Sequence, residues 1–376
     1  MALPRPTRIL IVDDSAVMRS LLRTVLRLEA RYDVVGTASD GNSALAAVGT
    51  LHPDLILLDV EMPVMDGLET LRKLRERGHK TPVIMCSSLT QRGARVTIEA
   101  LASGASDYVA KPSGQSGPAE ATRTLARELL PKIAALTASA APQPVIPIPI
   151  RSSHGPVAGA PSANEQISSV PSLVAIGVST GGPAALDIVL PAFPANFPLP
   201  ILVVQHMPEL FTRLLAERLN ERCPLAVREA SEGNPVIPGT IYIARGNWHL
   251  EIVGSTRSSQ PATLHLTQAA PENHCRPAVD VLFRSAAALY GSGVLAVVLT
   301  GMGSDGLESA RIVRARGGTV LAQDQATSAI WGMPGAVVRA GLAQRVLPVQ
   351  AVVPEILRLA SRSQSGAKEL RQAVAL

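Results

Sequence analysis

Short apolar runs alternate with amphipathic stretches along most of the chain. Residues 8–12 form the first run. Val17, Leu21, Leu22, Val25 and Leu28 then recur at helical spacing, so a strand over 8–12 and a helix over 16–28 are expected. Further strands are expected over 34–38, 54–58, 82–86 and 107–109, with helix-length segments between them and a last helix over 118–136. The alternation stops, then resumes at residue 173. Strands are expected there over 173–177, 201–205, 240–244, 294–299 and 319–322, with helices over 211–220, 278–290 and 306–316. Strand–helix alternation of this kind builds parallel sheets covered on both faces, so the fold class is α/β with two doubly wound parallel-sheet domains.

The interruption has its own composition. Pro142, Pro144, Pro147, Pro149, Pro156 and Pro161 fall among Ala, Ser and Gly, and proline both removes backbone donors and favours extended chain. The expected organisation is a domain over 1–128, a Pro/Ala-rich linker over 129–168, a second domain over 169–362 and a tail over 363–376. No internal repeat is present. The length of 376 residues agrees with two domains.

Composition narrows the function classes. Hydrophobic residues make up 47% and charged residues 17%, which is ordinary for globular domains. The net charge of +5 is spread thinly: 14 basic against 13 acidic residues over 1–112, and 17 against 14 over 171–376. Nucleic-acid binders concentrate positive charge and stack bases on aromatic rings, but aromatics are only 3% here, so no nucleic-acid partner is expected. Three cysteines are too few for a disulfide scaffold. With no signal-peptide run and no apolar stretch of membrane-spanning length, a cytoplasmic protein is expected.

In an open parallel sheet, ligands bind beyond the carboxyl ends of the strands. Asp13 and Asp14 follow the first expected strand, Asp59 follows the third, Ser87 and Ser88 the fourth, and Lys111 the fifth. Three carboxylates at one edge would repel one another without a hard divalent cation, and oxygen ligands suit Mg²⁺. The motifs Val12-Asp13-Asp14-Ser15, Leu57 to Pro63, Asp66-Gly67, Ser87 and Lys111-Pro112 resemble the receiver domain of two-component response regulators, a flavodoxin-like fold. The resemblance implies that Asp59 is the phosphoacceptor. It also implies that Asp13, Asp14, Asp59 and the carbonyl of Glu61 hold Mg²⁺, and that Ser87 and Lys111 contact the phosphoryl group. Tyr108 matches the aromatic switch position, although packing alone would also explain it.

The second domain carries a different set. Gly177 to Gly182 follows a strand and opens a helix, and glycines around Ser179 permit a sharp turn exposing its hydroxyl. His206 ends the next strand, and Asp305 lies on the glycine-rich turn after 294–299. Ser, His and Asp at three strand ends are the set needed for acyl transfer, with His206 as base and Asp305 as its orienter. Their order along the chain differs from that of α/β-hydrolases, which argues for another scaffold. Cys275 lies beside Arg276 and has no evident base, while His249, His265 and His274 lack metal-ligand spacing.

These motifs, together with Gln205 to Pro208, Arg276 to Phe283, Thr300 to Gly306 and Gln323 to Pro334, resemble the chemotaxis methylesterases of the CheB family, with a Rossmann-like catalytic domain. Val178 and Arg245 depart from the usual pattern. The resemblance implies Ser179, His206 and Asp305 as the triad, the backbone amide of Met302 as an oxyanion donor, and no cofactor in the esterase domain. It further implies hydrolysis of glutamate methyl esters on chemoreceptors, deamidation of receptor glutamines, and phosphorylation by the histidine kinase CheA. The competing expectations are a receiver-gated DNA-binding or adaptor protein, and a serine esterase acting on small molecules.

Overall fold

The computed structural model is described for residues 5–112, 117–138, 169–254 and 261–361. Of the linker expected over 129–168, residues 129–138 are helical and 139–168 lie outside these described residues, as does the tail from 363. The N-terminal unit runs β1 (Thr7–Val12), α1 (Ala16–Leu26), β2 (Tyr32–Ala38), α2 (Gly41–Leu51), β3 (Leu55–Asp59), α3 (Gly67–Glu76), β4 (Val83–Ser87), α4 (Gln91–Ala102), β5 (Asp107–Ala110) and α5 (Pro118–Ala138). Its five parallel strands stand in the order β2-β1-β3-β4-β5. Strands β3 and β4 are buried at every position, as a sheet covered on both faces requires. Helices α1 to α4 each start on a polar side chain that accepts from an early helix amide: Ser15, Asp40, Asp66 and Thr90. Such a cap contributes about 1 kcal/mol. Helix α5 crosses residue 128 and continues to Ala138.

The C-terminal unit runs β6 (Leu173–Val178), α6 (Gly182–Val189), β7 (Ile201–Gln205), α7 (Glu209–Asn220), β8 (Ala226–Glu229), β9 (Thr240–Ile243), β10 (His249–Val253), β11 (Thr263–Thr267), α8 (Val279–Tyr290), β12 (Val294–Val298), α9 (Leu307–Ala315), β13 (Thr319–Gln323), α10 (Met333–Arg339) and β14 (Arg345–Leu347), with a further helix over 352–361. Seven parallel strands stand in the order β14-β13-β12-β6-β7-β9-β8, and β10 and β11 form a separate antiparallel pair. That pair, β8 and β14 are additions to the sequence expectation. They are short and only partly buried, so their apolar signal is weak.

Both sheets change direction at a defined point. In the first, the chain winds outward from β1 and β3 in opposite senses; in the second it does so from β6 and β12. A crevice opens where neighbouring connections diverge, and these are the places where an α/β sheet binds ligands. The two units meet along α4, which lies against α6 and α7. Tyr108 of β5 stacks on Phe211 of α7 with ring centroids 4.6 Å apart. Thr180, next to Ser179, donates its hydroxyl hydrogen to Asp107 Oδ2 at 2.7 Å.

Candidate functional site

At the first crevice, Val12 pairs with Leu58, so the residues that follow, Asp13 and Asp59, emerge side by side. Asp13, Asp14 and Asp59 offer carboxylate oxygens that all lie within 4.8 Å of one another. Lys111, beyond β5, places Nζ 2.8 Å from Asp13 Oδ2 and 2.7 Å from Asp59 Oδ1. Burial raises the Asp59 carboxyl to about 6; Lys111 opposes that rise and the neighbouring Asp13 adds to it. An oxygen-only cluster of this kind suits a hard divalent cation such as Mg²⁺. Ser87 is buried at the end of β4, where its hydroxyl donates to the Ser88 carbonyl and accepts from Thr97. The Glu61 amide donates to Asp59 Oδ1 at 3.3 Å.

At the second crevice, Val178 of β6 pairs with Gln205 of β7, so Ser179 and His206 leave adjacent strands together. The Ser179 amide donates to the Thr300 carbonyl, which ties it to the end of β12. Gly181 opens α6 at φ 76°, a left-handed conformation that favours glycine. A Cβ on Gly301 would lie 2.8 Å from the Ser179 Cβ, so glycine there lets the 301–303 turn close over the serine. The Met302 amide on that turn donates to no acceptor among the described residues. The Met302 side chain is partly exposed and Met207 is buried.

His206 Nε2 lies 2.8 Å from Asp305 Oδ2. Asp305 is held by more than the imidazole. The Val279 and Asp280 amides at the start of α8, the Gly306 amide and the Asn273 side chain all donate to it. Helix α8 has no side-chain cap, so its free N-terminal amides and the positive end of its dipole meet this carboxylate. Burial pushes the Asp305 pKa upward, but His206 and the amides outweigh it and hold the carboxyl below the ordinary carboxylate range. Burial opposes a charge on His206. The hydrogen bond to Asp305, with a smaller push from Cys275, nevertheless raises the imidazole to about 9.

Ser179, His206 and Asp305 therefore share one rim, as expected from sequence, but the hydroxyl of Ser179 makes no hydrogen bond among the described residues. Cys275 departs from expectation. Its sulfur lies 3.5 Å from His206 Nδ1, so it does have a base beside it. Sequence reading missed this because the two residues are 69 positions apart. It also missed the orienting part of Asn273, whose Nδ2 lies 2.8 Å from both Asp280 Oδ2 and Asp305 Oδ1. Arg245 pairs with Glu209 and lies over the Trp248 ring.

A family model for the response regulator receiver domain matches residues 9–123, and one for the CheB methylesterase matches residues 174–356. A protein-glutamate methylesterase/protein-glutamine glutaminase from Nocardioides sp. is 48% identical over 364 residues, covering 95% of this chain and 96% of that protein. A protein of the same name from Trichodesmium erythraeum is 45% identical over 358 residues, covering 93% and 98%. The crystal structure of the Thermotoga maritima CheB methylesterase catalytic domain shares 43% identity and covers 50% of this chain and 98% of its own, with a TM-score of 0.49. Among the described residues, no helix is long and apolar enough to cross a membrane.

Proposed function

The chain belongs to the CheB methylesterase family and carries a response regulator receiver domain ahead of the catalytic unit, and from that premise we propose that it is a phosphorylation-activated protein-glutamate methylesterase and glutaminase. Its substrates are glutamate methyl esters and selected glutamines on chemoreceptors, its phosphodonor is the kinase CheA, and it works in the cytoplasm. The domains are the receiver over 1–128 and the catalytic unit over 169–362.

Ser179 Oγ attacks the ester carbonyl while His206 takes its proton. With Nε2 on Asp305, the ring nitrogen left for this task is Nδ1. Asp305 holds the ring and stabilises the imidazolium, and the Met302 amide donates to the oxyanion. Collapse breaks the ester C–O bond, and methanol leaves with the proton that His206 returns. Water then attacks the acyl-enzyme with the same base, releasing the glutamate carboxylate and restoring Ser179. A glutamine follows the same path but must lose ammonia, so ester turnover exceeds deamidation.

In the receiver, Asp59 accepts the phosphoryl group. Asp13, Asp14, Asp59 and the Glu61 carbonyl would hold Mg²⁺, which offsets the charge that builds up on the transferred group. Lys111 adds a second cation, and Ser87 turns from Thr97 to meet the new oxygens. The Tyr108–Phe211 stack and the Asp107–Thr180 hydrogen bond support a receiver that restrains the catalytic rim until Asp59 is phosphorylated.

The observation that carries the catalytic reading is the His206–Asp305 hydrogen bond of 2.8 Å at the strand end beside Ser179. Methanol release from methylated receptor, with and without a small phosphodonor and Mg²⁺, tests it. Ser179→Ala abolishes release while Asp59 still labels; wild-type turnover in that variant would refute the assignment.

A further inference from the structure

One loop reaches both partners of the catalytic pair. Glu272 and Cys275 exchange backbone hydrogen bonds of 3.1 and 2.9 Å, and between them Asn273 and His274 take φ of 53° and 63°. Positive φ at both central residues marks a type I′ turn, the tight two-residue reversal in which asparagine is favoured. Asn273 sends its amide inward to Asp280 and Asp305, whereas Cys275 sends its sulfur to His206 Nδ1. Among the described residues, the titratable groups bonded to the imidazole are Asp305 from the turn after β12 and Cys275 from this loop. Asp280 of α8 lies one layer behind, its other oxygen taken by Ser309.

Both ring nitrogens of His206 are thus engaged, Nε2 by a carboxylate and Nδ1 by a thiol. Ser179 has neither. We propose that Cys275 is a positioning residue for the general base: its thiol holds His206 Nδ1 in the resting enzyme, and the Ser179 hydroxyl must displace it before acylation. The inference rests on the assignment of Ser179 as nucleophile and His206 as base. The neutral ring accepts from the S–H; a protonated ring donates to the sulfur instead. In either state the contact competes with the approach of the hydroxyl. Of the two contacts, donation from the charged ring to the sulfur is the one that raises the imidazole, the direction in which Cys275 acts on His206.

Methanol release by the full chain, measured against pH without phosphodonor, tests the proposal in Cys275→Ala and Cys275→Ser. In Cys275→Ala the acid limb moves to lower pH and turnover at pH 7 rises about threefold, the weight of one modest hydrogen bond. Cys275→Ser keeps a partner for Nδ1 and stays nearer the wild-type limb. A Cys275→Ala limb that coincides with wild type overturns the proposal, whatever the absolute rate. A second measurement does not depend on that variant folding. Burial raises the Cys86 and Cys223 thiols, the latter to about 11, so iodoacetamide with peptide mapping isolates Cys275. In wild type its alkylation rate is governed by the contact with the imidazole, so His206→Gln changes the pH dependence of that rate. Identical pH dependence in both also overturns the proposal. Hydrolysis that survives in Ser179→Ala would instead refute the underlying assignment, on which the alkylation measurement does not depend.

Discussion

Asp59 and Asp305 occupy equivalent places in two sheets. Each lies at or just beyond the carboxyl end of a strand that borders the turning point of its sheet, and each is 2% exposed. Burial pushes both carboxyls upward, yet Asp59 rises to about 6 while Asp305 falls below the usual range. The difference lies in what meets the oxygens. Asp59 has one cation and one long amide contact, and it shares the cation with Asp13. Asp305 has three backbone amides, the Asn273 side chain and an imidazole. A buried carboxylate with one shared cation lies closer to its neutral form, whereas one saturated with donors remains an anion. The first environment suits a group that is to be modified, and the second suits one that holds a base in place.

The helix starts tell the same story. In the receiver unit, Ser15, Asp40, Asp66 and Thr90 satisfy the first amides of α1 to α4. In the catalytic unit, α6 to α10 have no side-chain cap, and the amides of α8 are used on Asp305 instead. At α8 the donors that a side-chain cap would satisfy meet the Asp305 carboxylate.

Asp305→Asn separates the two carboxylates most sharply. Methanol release should fall about 10⁴-fold, because an amide neither holds the required tautomer nor stabilises imidazolium. Acetyl-phosphate labelling of Asp59 should be unchanged in the same protein. A loss smaller than tenfold would show that the donor-rich site does not orient the base. The pH profile comes next. His206 is protonated below about 9 and cannot then accept a proton, so kcat/KM for methanol release should climb with pH and level off above that value. Well below that pKa the climb is about tenfold per pH unit. A profile flat from pH 6 to 9 would contradict the role of base.

Asp59→Asn should leave basal methanol release near wild type and remove stimulation by phosphodonor. A tenfold stimulation corresponds to about 1.4 kcal/mol of preference for the released arrangement. Stimulation that persists in the variant would detach the receiver cluster from the catalytic rim. Tyr108→Ala carries the smallest expected effect. Loss of the stack on Phe211 should raise unstimulated turnover about fivefold, in line with ~1 kcal/mol for an aromatic pair. Unchanged basal turnover would mean that this contact does not restrain the enzyme.

Much of the architecture was legible along the chain. Strand β1 falls at Thr7–Val12 where 8–12 was expected, and β7 at Ile201–Gln205 coincides with its expectation. Fully buried strands between amphipathic helices write their period directly into neighbouring residues. Asp13, Asp59, Ser179 and His206 were legible for a related reason, since a polar residue that ends a buried run has few places to go but the sheet edge. The β10–β11 pair was not legible. Thr263–Thr267 alternates partly buried with buried positions over five residues, too short a run to stand out from the loops around it.

The two parallel sheets, their helices and the edge at which each polar group emerges follow from residue order, because burial periodicity is a property of near neighbours. Tertiary structure alone decided which distant groups share those edges. Thr180 meets Asp107 across 73 positions, and Cys275 meets His206 across 69. Such pairings depend on how helix α4 seats against α6 and α7 and on where a two-residue turn points its side chains. No local pattern encodes that relation, since it is set by the packing of whole elements against one another.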